Sequence, residues 1–202
     1  AVSGVWRPAP DGGALTLTLP GANLDVKLQV PGEHNARNAL AAAAAAFALD
    51  VACSSIVRGL NGFSGMKGRL VRKPALHGST FIDDTYNANP DSVKAALAVL
   101  AQQPGRKLLV LGDMGELGND AAAIHAQIGL AARAAGVDKL LALGELTRET
   151  VGAFGAGAMY FERIQELLAE LENELNADTT VLVKGSRFMQ MERVVNSFME
   201  GH

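Results

Sequence analysis

Residues 82–90 read Ile82-Asp83-Asp84-Thr85-Tyr86-Asn87-Ala88-Asn89-Pro90. Two carboxylates, a hydroxyl, a phenol and two carboxamides stand together, an array of donors and acceptors suited to a polar ligand. The apolar run Thr80-Phe81-Ile82 before them reads as a strand, and the pattern from Asp91 to Gln103 reads as a helix. In an open α/β sheet, ligands bind outside the carboxyl ends of the strands, where this stretch falls. The bland alternative is a solvated loop of Asx-turn chemistry with Asp91 as helix N-cap.

Three more polar loops follow apolar runs: 112–118 after Leu108-Leu109-Val110-Leu111, 144–147 after 139–143, and 184–187 after Thr180-Val181-Leu182-Val183. Continuous apolar runs are typical of parallel strands buried on both faces. Alternation of strands with helical patterns from residue 74 onward predicts a Rossmann-like α/β domain with a mostly parallel sheet and helices on both faces. All four loops then lie on one sheet edge. That edge gathers Asp84, Asn87, Asn89, Asp113, Glu116, Lys184, Ser186 and Arg187, a set able to bind a charged small molecule. The final helix is expected to bury Phe188, Met191, Val195 and Phe198.

Residues 1–73 read differently. The segments 14–19 and 24–30 alternate apolar and polar side chains, with Pro20-Gly21-Ala22-Asn23 as a turn, which predicts a hairpin. A helix is expected from about Ala36 to Leu49 with Asn35 as N-cap, and another from Ser54 or Ser55 to about Leu60. The domain boundary is placed at 73/74, and a hinge is expected near Arg72-Lys73-Pro74.

Of the 202 residues, 49% are hydrophobic and 19% charged, a soluble globular balance; the net charge of −3 gives no sign of a nucleic-acid surface or a polybasic membrane patch. The longest apolar run, 39–49, is too short to span a bilayer, which needs about 20 residues. One cysteine, Cys53, excludes an intramolecular disulfide and fits a reducing, cytoplasmic setting; its expected state is a small buried side chain. No targeting segment is expected, and the absence of an initiator methionine hints at a fragment or processed chain. His34, His77, His125 and His202 have no metal-ligand spacing, and His125 reads as an ordinary helix residue. No metal site and no catalytic residue are assigned. The glycines of 61–69 lack the G-x-x-x-x-G-K-[ST] spacing of a phosphate loop, and Gly155-Ala156-Gly157 is not a dinucleotide fingerprint.

Five segments together resemble the Mur ligase family. They are 32–38 before the alanine-rich helix, Gly68-Arg69-Leu70, 83–90, 111–118 and Lys184-Gly185-Ser186-Arg187; the last three resemble its D-alanyl-D-alanine-adding branch in particular, most specifically the pair Asp83-Asp84-Thr85-Tyr86-Asn87-Ala88-Asn89 and Gly112-Asp113-Met114-Gly115-Glu116-Leu117-Gly118. The resemblance implies an ATP- and Mg²⁺-dependent cytoplasmic amide ligase of peptidoglycan precursor synthesis. It would join D-alanyl-D-alanine to a UDP-N-acetylmuramoyl-tripeptide through an acyl phosphate. It further implies that residues 1–73 are the tail of a central ATPase domain and 74–202 the C-terminal Rossmann-like domain. The N-terminal domain, the phosphate loop and the rest of the central domain of the same enzyme would be missing, leaving the chain inactive alone.

By the same resemblance Asn38 would bond adenine, and Arg69 and Asp84 would hold the ribose and neighbouring phosphates of ATP. Asn87, Asn89, Lys184, Ser186 and Arg187 would be candidates for the dipeptide and the tripeptide end. Each has a plain alternative: Asn38 supporting a helix start, Arg69 pairing with an acid, Lys184 and Arg187 solvated. The competing function is a stand-alone nucleotide- or peptide-binding α/β module without catalysis.

Overall fold

A computed structural model of the chain describes residues 2–9 and 12–199; Ala1 and His202, the outer limits of the expected domains, lie outside them. The chain divides into two units, one ending at Met66 and the other beginning at Lys67.

In the first unit, β1 (Ser3–Ala9), β2 (Gly12–Leu19) and β3 (Ala22–Leu28) form an antiparallel sheet in the order β1-β2-β3. The expected hairpin is β2–β3, with Thr18 opposite Asn23 and Leu15 opposite Val26. Leu15, Leu17, Leu19, Val26 and Leu28 point to one face and meet Ala36, Ala39 and Ala43 of α1 (Glu33–Ala48) and Ile56 of α2 (Cys53–Gly62). The alanines form an i, i+3/i+4 stripe, so the sheet-facing side of α1 is bare of long side chains. The helix begins three residues earlier than expected. Gly32 is its N-cap, and Asn35 sits in the first turn, its Nδ2 donating to the Pro31 carbonyl at 2.7 Å. Cys53 is half-buried, not fully buried, and unpaired with sulfur.

In the second unit, six strands lie in the order β4-β5-β9-β6-β7-β8. They are β4 (Val71–Pro74), β5 (Thr80–Asp84), β6 (Arg106–Gly112), β7 (Lys139–Leu143), β8 (Ala158–Phe161) and β9 (Thr179–Lys184). All neighbours are parallel except β4, which runs antiparallel to β5. The expected 73/74 boundary and the hinge near Arg72-Lys73-Pro74 fall within β4. Those residues are an edge strand hydrogen-bonded to β5, and the division falls at 66/67 instead.

Alternate residues of each parallel strand serve two cores. Ile82, Leu109, Leu111, Leu140 and Leu182 pack with α3 (Pro90–Ala101), α4 (Ala121–Ala134) and α5 (Thr147–Phe154) through Val93, Leu97, Ile128 and Phe154. Phe81, Val110, Leu141, Val181 and Val183 pack with α6 (Ile164–Glu174) and α7 (Glu192–Ser197) through Leu167, Leu171 and Val195. The period of two thus places helices on both faces. It also creates a switch: β9, whose connection leaves towards α7, lies between β5 and β6, whose connections leave towards α3 and α4. Such a reversal opens a crevice at the carboxyl ends of the strands.

Where α4 crosses α5, Gly129 leaves no room for a side chain. A Cβ there would stand 2.3 Å from the Thr150 carbonyl oxygen. Gly129→Ala is expected to lower stability by about 1–3 kcal/mol despite alanine's better helix propensity, because backbone must move. A urea midpoint equal to or above that of the parent chain would contradict this.

On the opposite end of the sheet, Glu174 bonds Lys139 and Arg106, and Lys139 also bonds Glu170. The hydrogen bond from Lys139, against the opposing effect of burial, holds the Glu174 carboxyl below its ordinary 4.5. Burial pulls Lys139 down, but its bonds to Glu170 and Glu174 outweigh that and hold it above its ordinary 10.5. The Glu174 contribution is complete above pH 4.5 and is lost as pH falls through its depressed folded value. The Lys139 contribution is complete below pH 10.5 and is lost as pH rises through its raised one. Stability measured against pH should therefore lose its acid limb partly in Glu174→Gln, and its alkaline limb partly too, because Lys139 then keeps only Glu170.

Candidate functional site

The register of the parallel strands builds the centre of the site. Asp84, the last residue of β5, lies opposite Lys184, the last of β9, which lies opposite Leu111 of β6. Paired positions in parallel strands share a face, so the Lys184 Nζ reaches the Asp84 Oδ2 at 2.5 Å and also donates to the Asn87 carbonyl at 2.8 Å. Both side chains are buried, Asp84 being 7% exposed. Burial pushes the Asp84 carboxyl above its ordinary 3.8, and the charge and hydrogen bond of Lys184 only partly offset it.

The other Asp84 oxygen, Oδ1, accepts from the Leu70 amide at 3.2 Å. Leu70 is held at φ 52°, a left-handed conformation that a leucine adopts at a cost. The preceding Gly68 is also left-handed, and its carbonyl accepts from the Tyr86 amide at 2.9 Å. This double tie leaves Arg69 between two anchored residues. Its guanidinium lies over the Tyr86 ring, 4.5 Å from the centroid, and no carboxylate bonds it among the described residues.

The adjacent carboxylate has another job. Asp83 points to the opposite sheet face, as strand alternation requires. There its Oδ2 bonds the Lys73 Nζ at 2.7 Å, and its Oδ1 accepts from the Thr85 hydroxyl at 2.7 Å and amide at 3.3 Å.

Three loops enclose a cleft of about 540 Å³ beside the ion pair, lined by Asn87, Ala88 and Asn89, by Gly115, Glu116 and Leu117, and by Ser186, Arg187 and Phe188. Ser186 ties all three together. Its Oγ donates to the Ala88 carbonyl at 3.2 Å and accepts from the Gly115 amide at 2.8 Å, while its own amide donates to the Asp113 carbonyl. Asp113 is buried and its Oδ1 accepts from the Thr147 amide, fixing the start of α5. Asn87 Oδ1 accepts from the Ala88 amide at 2.9 Å and the Arg187 amide at 3.4 Å. Arg187 extends an exposed guanidinium that pairs with Glu192 at 2.9 Å. The mixture of an arginine, carboxamides and the apolar Leu117 and Phe188 suits a small molecule bearing a carboxylate and short apolar groups.

Not every sequence expectation survives unchanged. Asn89, not Asp91, is the N-cap of α3: its Oδ1 accepts from the Ser92 amide at 2.8 Å, and its own amide donates to the Ser92 hydroxyl at 3.0 Å. Proline at the first helical position fixes the cap one residue pair earlier. Phe188 is 65% exposed instead of buried. Residues Arg187–Met189 form a 3-10 turn and Gln190 is left-handed at φ 50°, so α7 starts only at Glu192 and Phe188 escapes its periodicity. Asn38 lies in the first unit, exposed on the second turn of α1. Tyr86, Phe188 and His125 were not among the site residues expected from sequence: Phe188 was read as core and His125 as an ordinary helix residue. Only Tyr86 carried a signal, its place inside the polar stretch.

A family model described as "Mur ligase, glutamate ligase domain" matches residues 68–187. The chain belongs to the Mur ligase family. Among curated Mur ligases it is 40% identical to the UDP-N-acetylmuramoyl-tripeptide–D-alanyl-D-alanine ligase of Escherichia coli (strain K12) over 195 residues, 94% of this chain and 42% of that protein. Among solved Mur ligase structures it superposes on MurF from Acinetobacter baumannii with a TM-score of 0.90 at 36% identity, covering 99% of this chain and 45% of that one. MurF from Thermotoga maritima in complex with ADP shares the fold, with a TM-score of 0.83 at 20% identity over 96% of this chain and 45% of that one. The chain thus spans less than half the length of these Mur ligases. Among its described residues no helix is long and apolar enough to cross a membrane.

Proposed function

We propose that the chain is the C-terminal part of an ATP-dependent amide ligase that joins D-alanyl-D-alanine to a UDP-N-acetylmuramoyl-tripeptide. The observation that carries this reading is the 40% identity to the Escherichia coli enzyme across 94% of the chain. In that reaction the γ-phosphoryl group of ATP moves to the tripeptide carboxylate. The dipeptide amine then attacks the acyl phosphate, forming the amide bond and releasing phosphate. The first unit, up to Met66, would belong to the central ATPase domain and the second to the C-terminal domain, with the remaining domains supplied by sequence upstream.

The residues fit a nucleotide in part. Arg69 offers a cation that no carboxylate neutralises among the described residues, suited to a phosphate. The Asn38 carboxamide is exposed and can pair with an aminopurine edge. Asp84 already bonds Leu70 and Lys184 through its two oxygens, each retaining one acceptor position, so its contribution to a ribose hydroxyl is added to a structural one. Among the described residues no group of three His, Cys, Asp or Glu can hold a metal ion, and Mg²⁺ would enter with ATP. Bound ATP would supply the activated phosphoryl group. The chain's own task is to orient the amine, and the cleft of loops 87–89, 115–117 and 186–188 is where the dipeptide would sit, with Arg187 for its carboxylate.

The test is phosphate release with ATP, Mg²⁺, the UDP-linked tripeptide and D-alanyl-D-alanine. The chain is supplied alone and mixed with the N-terminal half of the Escherichia coli enzyme. Silence alone with turnover on mixing supports the reading. Turnover by the chain alone rejects its assignment as a part, and silence in both favours a binding module.

A further inference from the structure

His125 is completely buried within α4, on the apolar face that also carries Ile128 and Ala132. Both of its ring nitrogens are bonded. Nδ1 lies 2.8 Å from the Ala121 carbonyl, one turn back in the helix, and Nε2 lies 3.0 Å from the amide nitrogen of Met114. An amide can only donate and a carbonyl can only accept, so the ring is neutral with its proton on Nδ1. Its own carbonyl accepts from the Thr150 hydroxyl, which locks this turn of α4 to α5.

The bonded amide belongs to the loop that forms one wall of the cleft. The next amide, Gly115, donates to Ser186 Oγ, and the residue after it, Glu116, stands at φ 62°. Two successive peptide groups are thus clamped by side chains from α4 and from the loop after β9, immediately before the strained residue on the cleft wall. Ile124 and Ile128 explain the helix's packing without any polar group, so a histidine adds nothing to the core there except this bond.

We infer that His125 is a positioning residue: its unprotonated Nε2 sets the peptide plane at Met114 and thereby the shape of the Gly115–Glu116–Leu117 wall against which the dipeptide is held. The last part rests on the ligase reading above. In the complete ligase containing this chain, His125→Leu should lower kcat/KM for D-alanyl-D-alanine about 10²-fold, the size expected of an ångström-scale misplacement, with KM for ATP unchanged. His125→Gln can accept from Met114 with its carbonyl oxygen and donate to Ala121 with its amide, and should restore most of the loss. Equal losses in the two variants, or parallel changes in both substrates, would overturn the inference. A second measurement does not depend on the ligase reading or on either variant folding. Imidazole ¹⁵N spectra of the unmodified chain at neutral pH should show a protonated Nδ1 and a bare Nε2. The other tautomer, or an imidazolium, would overturn it even if no ligase activity were found.

Discussion

Lys184→Ala should cost about 3–5 kcal/mol of stability, the largest loss expected from any single truncation at the site, because it leaves a buried carboxylate without its partner. The loss has a pH signature. Asp84 is already held above its ordinary 3.8 by burial, with Lys184 working against that rise. A carboxyl whose folded value is raised contributes stability that is complete below its unfolded value and is lost as pH rises through its folded value. Removing Lys184 raises the folded value further, so Lys184→Ala should match the parent chain best in acid and fall behind as pH climbs from about 4 towards neutrality. Replacing both partners, Asp84→Leu with Lys184→Met, should recover most of the loss, since neither charge is then stranded. Urea unfolding at several pH values, with amide exchange in β5 and β9 as a local probe, measures all three. A Lys184→Ala penalty below 1 kcal/mol, or one independent of pH, would mean that the pair is screened by solvent and not part of the buried frame.

The sequence exposed the strand ends well because each parallel strand is a continuous apolar run that stops at a polar residue. β7 has the bounds expected from pattern alone, and the loops at 83–90, 112–118 and 184–187 do meet at one cleft. What pattern could not convey is which polar side chains face the ligand and which hold the frame. Asp83 and Asp84 look equivalent in sequence, yet alternation sends one to Lys73 and the other to Lys184. Asn89 and Asp91 are both good caps, and only the geometry of Pro90 at the first helical position selects Asn89. Phe188 fits a helical stripe with Met191, Val195 and Phe198 that a single left-handed residue, Gln190, breaks. His125 lacked any local cue, because its partner Met114 lies eleven residues away in a loop whose path depends on the sheet. First-unit strand β1 was missed as a separate element, since Trp6, Arg7 and Pro8 interrupt its alternation and its stability comes from pairing with β2.

Arg69→Ala should reduce phosphate release by the assembled ligase about 10²–10³-fold, the effect of deleting one preorganised group from the charge-stabilising set of a phosphoryl-transfer site. Gly68 and Leu70 on either side are tied to Tyr86 and Asp84, both neighbours are left-handed, and the guanidinium is laid across the Tyr86 ring with no acid bonded to it among the described residues. A charge so placed is oriented before a nucleotide arrives. Arg69→Lys should rescue little, because an ammonium neither stacks on the ring nor presents a planar fork to a phosphate. Tyr86→Phe retains the aromatic face and should stay near parent activity, whereas Tyr86→Ala removes a contact worth about 0.5–1 kcal/mol and should weaken nucleotide binding about two- to fivefold. The order expected, Phe above Ala at 86 and both above Ala at 69, separates orientation of the cation from its charge. Nucleotide titration and phosphate release on the same four variants decide it. If Arg69→Ala binds and turns over ATP like the parent, the left-handed Gly68–Leu70 segment serves the fold alone and the phosphate cation must lie elsewhere in the enzyme.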